Sequence, residues 1–208
     1  MKTRHLLIYL LLLPITLFAS NWSLETGGAW YRPHNKSLKN IYTGGWIDLE
    51  LEAAYGVGCN TDAWIGLNWI SKKHNTHHAF KTLNSSGDYS KSDDKKQLWI
   101  LPISLGAKYF FYLTPRLSLY VGGGPAYTFV KAERHAVFRN KTFSKQGLGA
   151  VIQSGIRYDW GDYTFVNLFC NYFHQNFHLS HTQRRASIQK SVLDLSGWKI
   201  GLSLGVYF

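Results

Sequence analysis

The sequence predicts an all-β fold, an eight-stranded antiparallel up-and-down barrel that crosses a membrane. Three observations carry that prediction. Apolar and polar residues alternate with a period of two in eight separate segments, the mark of strands with two unlike faces. The connections between these segments alternate short and long, as in membrane-spanning barrels. Aromatic residues (8 Trp, 13 Tyr, 12 Phe) nearly match the 23 Lys plus Arg and 12 Asp plus Glu in number. They collect near strand ends, where amphipathic rings favour the membrane interface.

The 208 residues suffice for one domain. Lys2 and Arg4 precede an apolar run from Leu6 to Phe18, and small Ala19 and Ser20 follow. This is the pattern of a secretory signal, and the run is shorter than the roughly 18 residues of a spanning helix. The reading therefore divides the chain into an export signal, 1–20, and a barrel domain, 21–208. Cys59 and Cys170 fall in unlike segments and are expected as free thiols.

The first strand, Trp22 to Tyr31, sets Trp22, Leu24 and Trp30 against Ser23, Glu25 and Gly27. The second, from Trp46, sets Ile47, Leu49, Leu51, Ala53 and Tyr55 against Asp48, Glu50 and Glu52. The third, Ala63 to Ser71, sets Ile65, Leu67 and Trp69 against Gly66 and Asn68. In the fourth, from Gln97, Trp99 to Phe111 alternate with Ser104, Gly106 and Lys108. In the fifth, from Leu117, Leu119, Val121, Tyr127 and Phe129 oppose Gly122, Gly124 and Thr128. Pro102 and Pro125 lack a ladder donor and are expected to weaken these two strands locally. The sixth opposes Leu148, Ile152, Ile156 and Tyr158 to Gln153, Arg157 and Asp159. The seventh, Asp162 to Phe173, opposes Val166, Leu168, Cys170 and Tyr172 to Phe165, Asn167, Phe169 and Asn171. The eighth places Trp198, Ile200, Leu202, Leu204, Val206 and Phe208 against Lys199, Gly201, Ser203, Gly205 and Tyr207.

Short turns are expected at 56–62, 112–116 and Gly161-Asp162, and long loops at 32–45, 72–96, 131–147 and 174–196. A soluble barrel would bury the apolar parity and expose the polar one. Gly122, Gly124, Gly149, Gly155, Gly201 and Gly205 all lie on the polar parity, which suits a narrow lumen instead.

The final GLSLGVYF, ending in Phe208, resembles the C-terminal assembly signal of outer-membrane barrels. The run LSLYVGGGPAYTF, Leu117 to Phe129, resembles a strand of OmpX-like, OmpW-like and OmpA-like barrel domains. That resemblance implies insertion by the barrel assembly machinery into the outer membrane of a Gram-negative-type bacterium, among outer-membrane lipid and lipopolysaccharide.

An eight-stranded barrel has a lumen just wide enough for side chains. The polar parity projects Glu25, Asp48, Glu50, Glu52 and Asp159 inward, with Lys108, Arg157 and Lys199. Buried charges need partners, so a lumenal ion-pair network is expected, with Glu50 and Arg157 among its members.

The four long segments carry +3, +3, +4 and +2, and the signal +2, whereas the whole chain carries +11. The membrane-embedded remainder is therefore acidic and the basicity belongs to the loops. Lys72, Lys73, Arg134, Arg139, Lys141, Arg184 and Arg185 are candidate anion-binding residues, for lipopolysaccharide or an anionic host glycan. So local a charge excess argues against nucleic acid as partner. His74, His77 and His78, and His174, His178 and His181, have spacings open to a metal. Irregular loops would not hold that geometry, and neither metal nor cofactor is expected. His178-Leu179-Ser180 distantly resembles the His-x-Ser of lipid A deacylases, which implies Ser180 as nucleophile, His178 as base and Asp194 as the orienting acid.

The expected function is non-enzymatic: a structural or adhesive, surface-binding barrel with basic, His-rich loops. The alternatives are a small OmpW-like channel for hydrophobic or ionic solutes and a lipid A deacylase-like hydrolase.

Overall fold

A computed structural model describes residues 21–35, 38, 45–80, 90–136, 139–178 and 192–208. Among these residues there are ten strands: β1 (Trp22–Pro33), β2 (Trp46–Gly58), β3 (Thr61–Phe80), β4 (Ser90–Thr114), β5 (Leu117–Ala136), β6 (Arg139–Asp159), β7 (Thr164–His174), β8 (Asn176–His178), β9 (Val192–Asp194) and β10 (Gly197–Tyr207). Eight close a barrel in the order β1-β10-β7-β6-β5-β4-β3-β2, and β8 and β9 form a separate hairpin. Closure is antiparallel, from Ser23↔Tyr207 to Pro33↔Gly197, so the wall has no free sheet edge.

The burial of each strand follows the two-residue period. On β10, Trp198, Ile200, Leu202, Leu204 and Val206 are exposed while Lys199 and Ser203 are buried. On β2, Ile47, Leu49 and Leu51 are exposed while Asp48 and Glu52 are buried. An apolar outer face around a polar interior is the arrangement of a barrel whose solvent is lipid.

Two glycines of the inner parity, Gly201 and Gly205, make room for rings. A Cβ on Gly205 would lie 2.0 Å from Phe165 Cζ, and one on Gly201 2.5 Å from Phe169 Cζ. Phe165 and Phe169 are fully buried, so these glycines let aromatic side chains enter a narrow lumen.

The two prolines interrupt the ladder without shifting it. Between β3 and β4 the pairs stop at Leu67↔Ile103 and resume at Ile70↔Ile100, skipping the pair opposite Pro102. Between β4 and β5 they stop at Ser104↔Ala126 and resume at Ala107↔Gly123, opposite Pro125. A missing N–H costs one ladder bond, and the register on both sides is unchanged.

Two expected loops are corrected. Residues 72–96 and 131–147 are largely strand: β3 pairs with β4 out to Phe80↔Ser90, and β5 with β6 out to Ala136↔Arg139. Above the apolar band both faces of a ribbon can be polar. The backbone ladder then continues without the alternation by which strands are detected. Within the expected loop 174–196, β8 and β9 pair through Phe177↔Leu193. The last tight turn is Trp160–Tyr163 rather than Gly161-Asp162 alone. It is closed by Trp160 N donating to Thr164 O at 2.8 Å, with Gly161 at φ 92°. Cys59 and Cys170 are free.

Candidate functional site

Three layers fill the lumen between the turn end and the loop end. Nearest the turns, Arg157 Nη2 stands 3.4 Å from Glu25 Oε2 and Nη1 3.9 Å from Asp62 Oδ2. Asn167 Nδ2 donates to Glu25 Oε1 at 2.7 Å and Ser203 Oγ donates to the same oxygen. Asp159 accepts from Tyr207 Oη at 2.8 Å.

The middle layer holds two ion pairs. Lys108 Nζ pairs with Glu52, whose other oxygen accepts from Gln153 Nε2 at 3.2 Å. Lys108 also lies 4.9 Å from the Tyr120 ring centre. Lys199 Nζ is 2.5 Å from Asp48 Oδ2. Asn68 Nδ2 bridges Asp48 at 3.2 Å and Glu50 at 3.0 Å. The polar parity thus brings Glu25, Asp48, Glu52, Lys108, Arg157 and Lys199 into buried pairs. Glu50 meets Asn68, and Arg157 faces Glu25 and Asp62.

The third layer departs from the polar lumen expected. Tyr31, Trp46, Ile70, Leu98, Ile100, Val130 and Phe173 point inward near the loop end, and Phe177, Leu193 and Leu195 pack against them. The last three belong to the β8–β9 hairpin and its exit, which fold into the mouth. Tyr31 Oη donates to Leu195 O, and Gln175, fully buried, donates through Nε2 to Leu148 O at 3.2 Å. Ser196 Oγ accepts from Gln175 N at 3.1 Å and contacts His174 Nδ1 at 3.1 Å, pinning both ends of the hairpin. One or two inward apolar residues on a strand do not break its alternation enough to be read from that strand; only closure shows them as a cluster.

Apolar residues at the mouth thus stand above the paired charges of the lumen. Reconstituted into planar bilayers, the protein is expected to show no conductance above the lipid leak. Discrete channel-level currents would show that the hairpin leaves the mouth.

Among the loop candidates, Lys72 lies on β3 and donates to Gly45 O at 3.0 Å, half-buried at the mouth, while Lys73 is exposed. Arg134 lies on β5, and Arg139 and Lys141 on β6. Arg184, Arg185 and Ser180 lie outside the described residues, so the His178–Ser180 pair does too. Asp194 Oδ1 accepts from Ser196 N at 2.8 Å.

The ladder reveals a grouping that sequence reasoning missed. His74 is opposite Lys96, Lys96 opposite Arg134, and Arg134 opposite Lys141. Four basic or imidazole residues thereby occupy one row across β3, β4, β5 and β6. In the adjacent row Lys95 is opposite His135. Asp62, Asn68, Gln153, Asn167 and Ser203 were also missed as members of the lumenal network, although all stand on the inward parity, Asp62 directly opposite Lys108.

No protein-family model and no curated protein matches the sequence. Solved structures do match in fold. Neisserial surface protein A is 13% identical with a TM-score of 0.56, covering 91% of this chain and 98% of that one. The outer-membrane protein OprG of Pseudomonas aeruginosa is 15% identical with a TM-score of 0.56, covering 91% and 96%. Ail, the attachment invasion locus protein of Yersinia pestis, solved with the heparin analogue sucrose octasulfate, is 11% identical with a TM-score of 0.51, covering 90% and 99%. With its closed antiparallel wall, apolar outer face and polar interior, this chain has the fold of the small eight-stranded outer-membrane barrels.

Proposed function

We propose that this protein is a non-enzymatic, closed surface barrel that binds polyanions, phosphorylated or sulfated saccharides, on the basic ribbons at its loop end. Its location is the outer membrane of a Gram-negative-type bacterium. Residues 1–20 serve as the export signal, and the assembly machinery reads the C-terminal strand. The observation that carries the reading is the row His74, Lys96, Arg134 and Lys141. Like charges directly opposite one another destabilise a sheet, and an anion bound across the row would offset that cost. Strands lie about 4.8 Å apart, and four of them place the row across about 14 Å, the reach of a linear polyanion with several charged groups. The Ail complex with sucrose octasulfate supports the chemistry on a barrel of the same fold.

Each cation near an anionic surface contributes about 1 kcal/mol. The triple variant Lys96→Gln, Arg134→Gln, Lys141→Gln is therefore expected to bind heparin or lipopolysaccharide roughly a hundredfold more weakly, as read by surface plasmon resonance. Binding by the parent protein should fall as salt rises. Undiminished binding by the triple variant, with loss on replacing Arg184 and Arg185 instead, would move the site off the row and overturn this reading.

A further inference from the structure

The turn end of the lumen, opposite the basic ribbons, opens into a cavity of about 420 Å³. Trp22, Phe110, Tyr112 and Tyr207 bring rings to it, Asp62 and Asp159 bring carboxylates, and Arg157 lines it. Arg157 is 3% exposed and lies between two rings, its guanidinium carbon 4.6 Å from the centre of Phe110 and 4.0 Å from that of Phe165.

This guanidinium is loosely paired with carboxylates for a buried cation. It carries five N–H donors, and buried guanidinium–carboxylate pairs ordinarily close to about 2.7–2.9 Å, often through two bonds. Here the approaches are 3.4 Å to Glu25 and 3.9 Å to Asp62, and Nε has no hydrogen-bond partner among the described residues. Glu25 already accepts from Asn167 and Ser203, so it does not need Arg157 alone. The guanidinium also meets Tyr207 at the cavity, so it stands there loosely paired, beside two carboxylates of which Asp159 is held by Tyr207 and Asp62 by the long contact to Arg157.

A simple anion that reached Arg157 would meet the charges of Asp62 and Asp159. A simple cation that reached the carboxylates would meet the guanidinium. A molecule carrying both signs satisfies both groups at once, and an ammonium gains further from the aromatic walls. We propose that the cavity is a binding site for a small zwitterion, its anionic oxygen group on Arg157 and its ammonium toward Asp62 and Asp159.

Isothermal titration calorimetry of the refolded barrel in detergent tests this with three probes: phosphoethanolamine, inorganic phosphate and ethanolamine. The expected result is saturable binding of phosphoethanolamine at least tenfold tighter than either fragment. Asp62→Asn should remove most of its advantage over phosphate, and Arg157→Gln should abolish binding. Because Arg157→Gln also takes the cation from Glu25, Asp62→Asn at the rim carries the test, with heat-modifiable gel migration confirming a folded barrel. No saturable binding of phosphoethanolamine, equal binding of phosphate alone, or an Asp62→Asn variant that behaves as the parent would each overturn the proposal.

Discussion

Replacing Lys108 by methionine is expected to destabilise the barrel by about 3–5 kcal/mol, the cost of leaving one member of a buried ion pair without its partner. The side chains of Lys108 and Glu52 are each 2% exposed, so water cannot take over for the missing ammonium. Gln153 supplies Glu52 with one hydrogen bond, but a neutral amide does not balance the charge. The double variant Lys108→Met, Glu52→Gln should recover most of the loss, because removing both charges of a buried pair is often nearly neutral. Urea titration of the barrel folded in lipid vesicles measures both values. A single-variant loss below about 1 kcal/mol, the range of exposed pairs, would mean that the middle layer is hydrated.

Replacing Leu202 by arginine is expected to cost about 2–4 kcal/mol in a bilayer, as charges do at the midplane of a lipid-facing strand. Leu202 is 60% exposed on β10. On a protein facing water, a substitution at so exposed a site would usually change stability by less than about 0.5 kcal/mol. Val206→Arg, on the same face but four residues nearer the turn end, is expected to cost only about 0–1 kcal/mol. A depth profile of this kind in the urea midpoints distinguishes lipid from water as the solvent of the outer face. Equal and small effects at both positions would contradict the membrane-spanning reading.

The outer face was legible because lipid demands an apolar residue at every second position, and this demand is local. Ile47, Leu49 and Leu51 announce their side of the wall without reference to any other strand. The acids between them, Asp48, Glu50 and Glu52, announce the lumen in the same way. The upper halves of β3, β4, β5 and β6 were not legible as strands. There the apolar alternation stops while the backbone ladder continues, and the ladder leaves no periodic trace in sequences such as His74 to Phe80.

Partners inside the barrel were likewise beyond local reading. Arg157 and Glu25 are 132 residues apart, and Lys108 and Glu52 are 56 apart. Parity places each in the lumen, but the height at which each stands depends on the register between every pair of neighbouring strands. Arg157 was thus assigned to the lumen while its neighbours Glu25 and Asp62 became visible only on closure. The apolar mouth was hidden for a related reason: Tyr31, Trp46, Ile70, Ile100 and Phe173 come one from each of five strands, and none of these strands alone suggests a cluster.

From the sequence alone came the number of barrel strands, the face of each residue where apolar and polar residues alternate, the basic character of the long segments and the acidity of the remainder, since each follows from a short-range pattern or a sum. The tertiary structure alone decided which charges pair, that residues of β8 and β9 pack against the apolar mouth, and that His74, Lys96, Arg134 and Lys141 share one row. These depend on closure and register, which are set by the hydrogen-bonded ladder around the whole barrel rather than by any one segment.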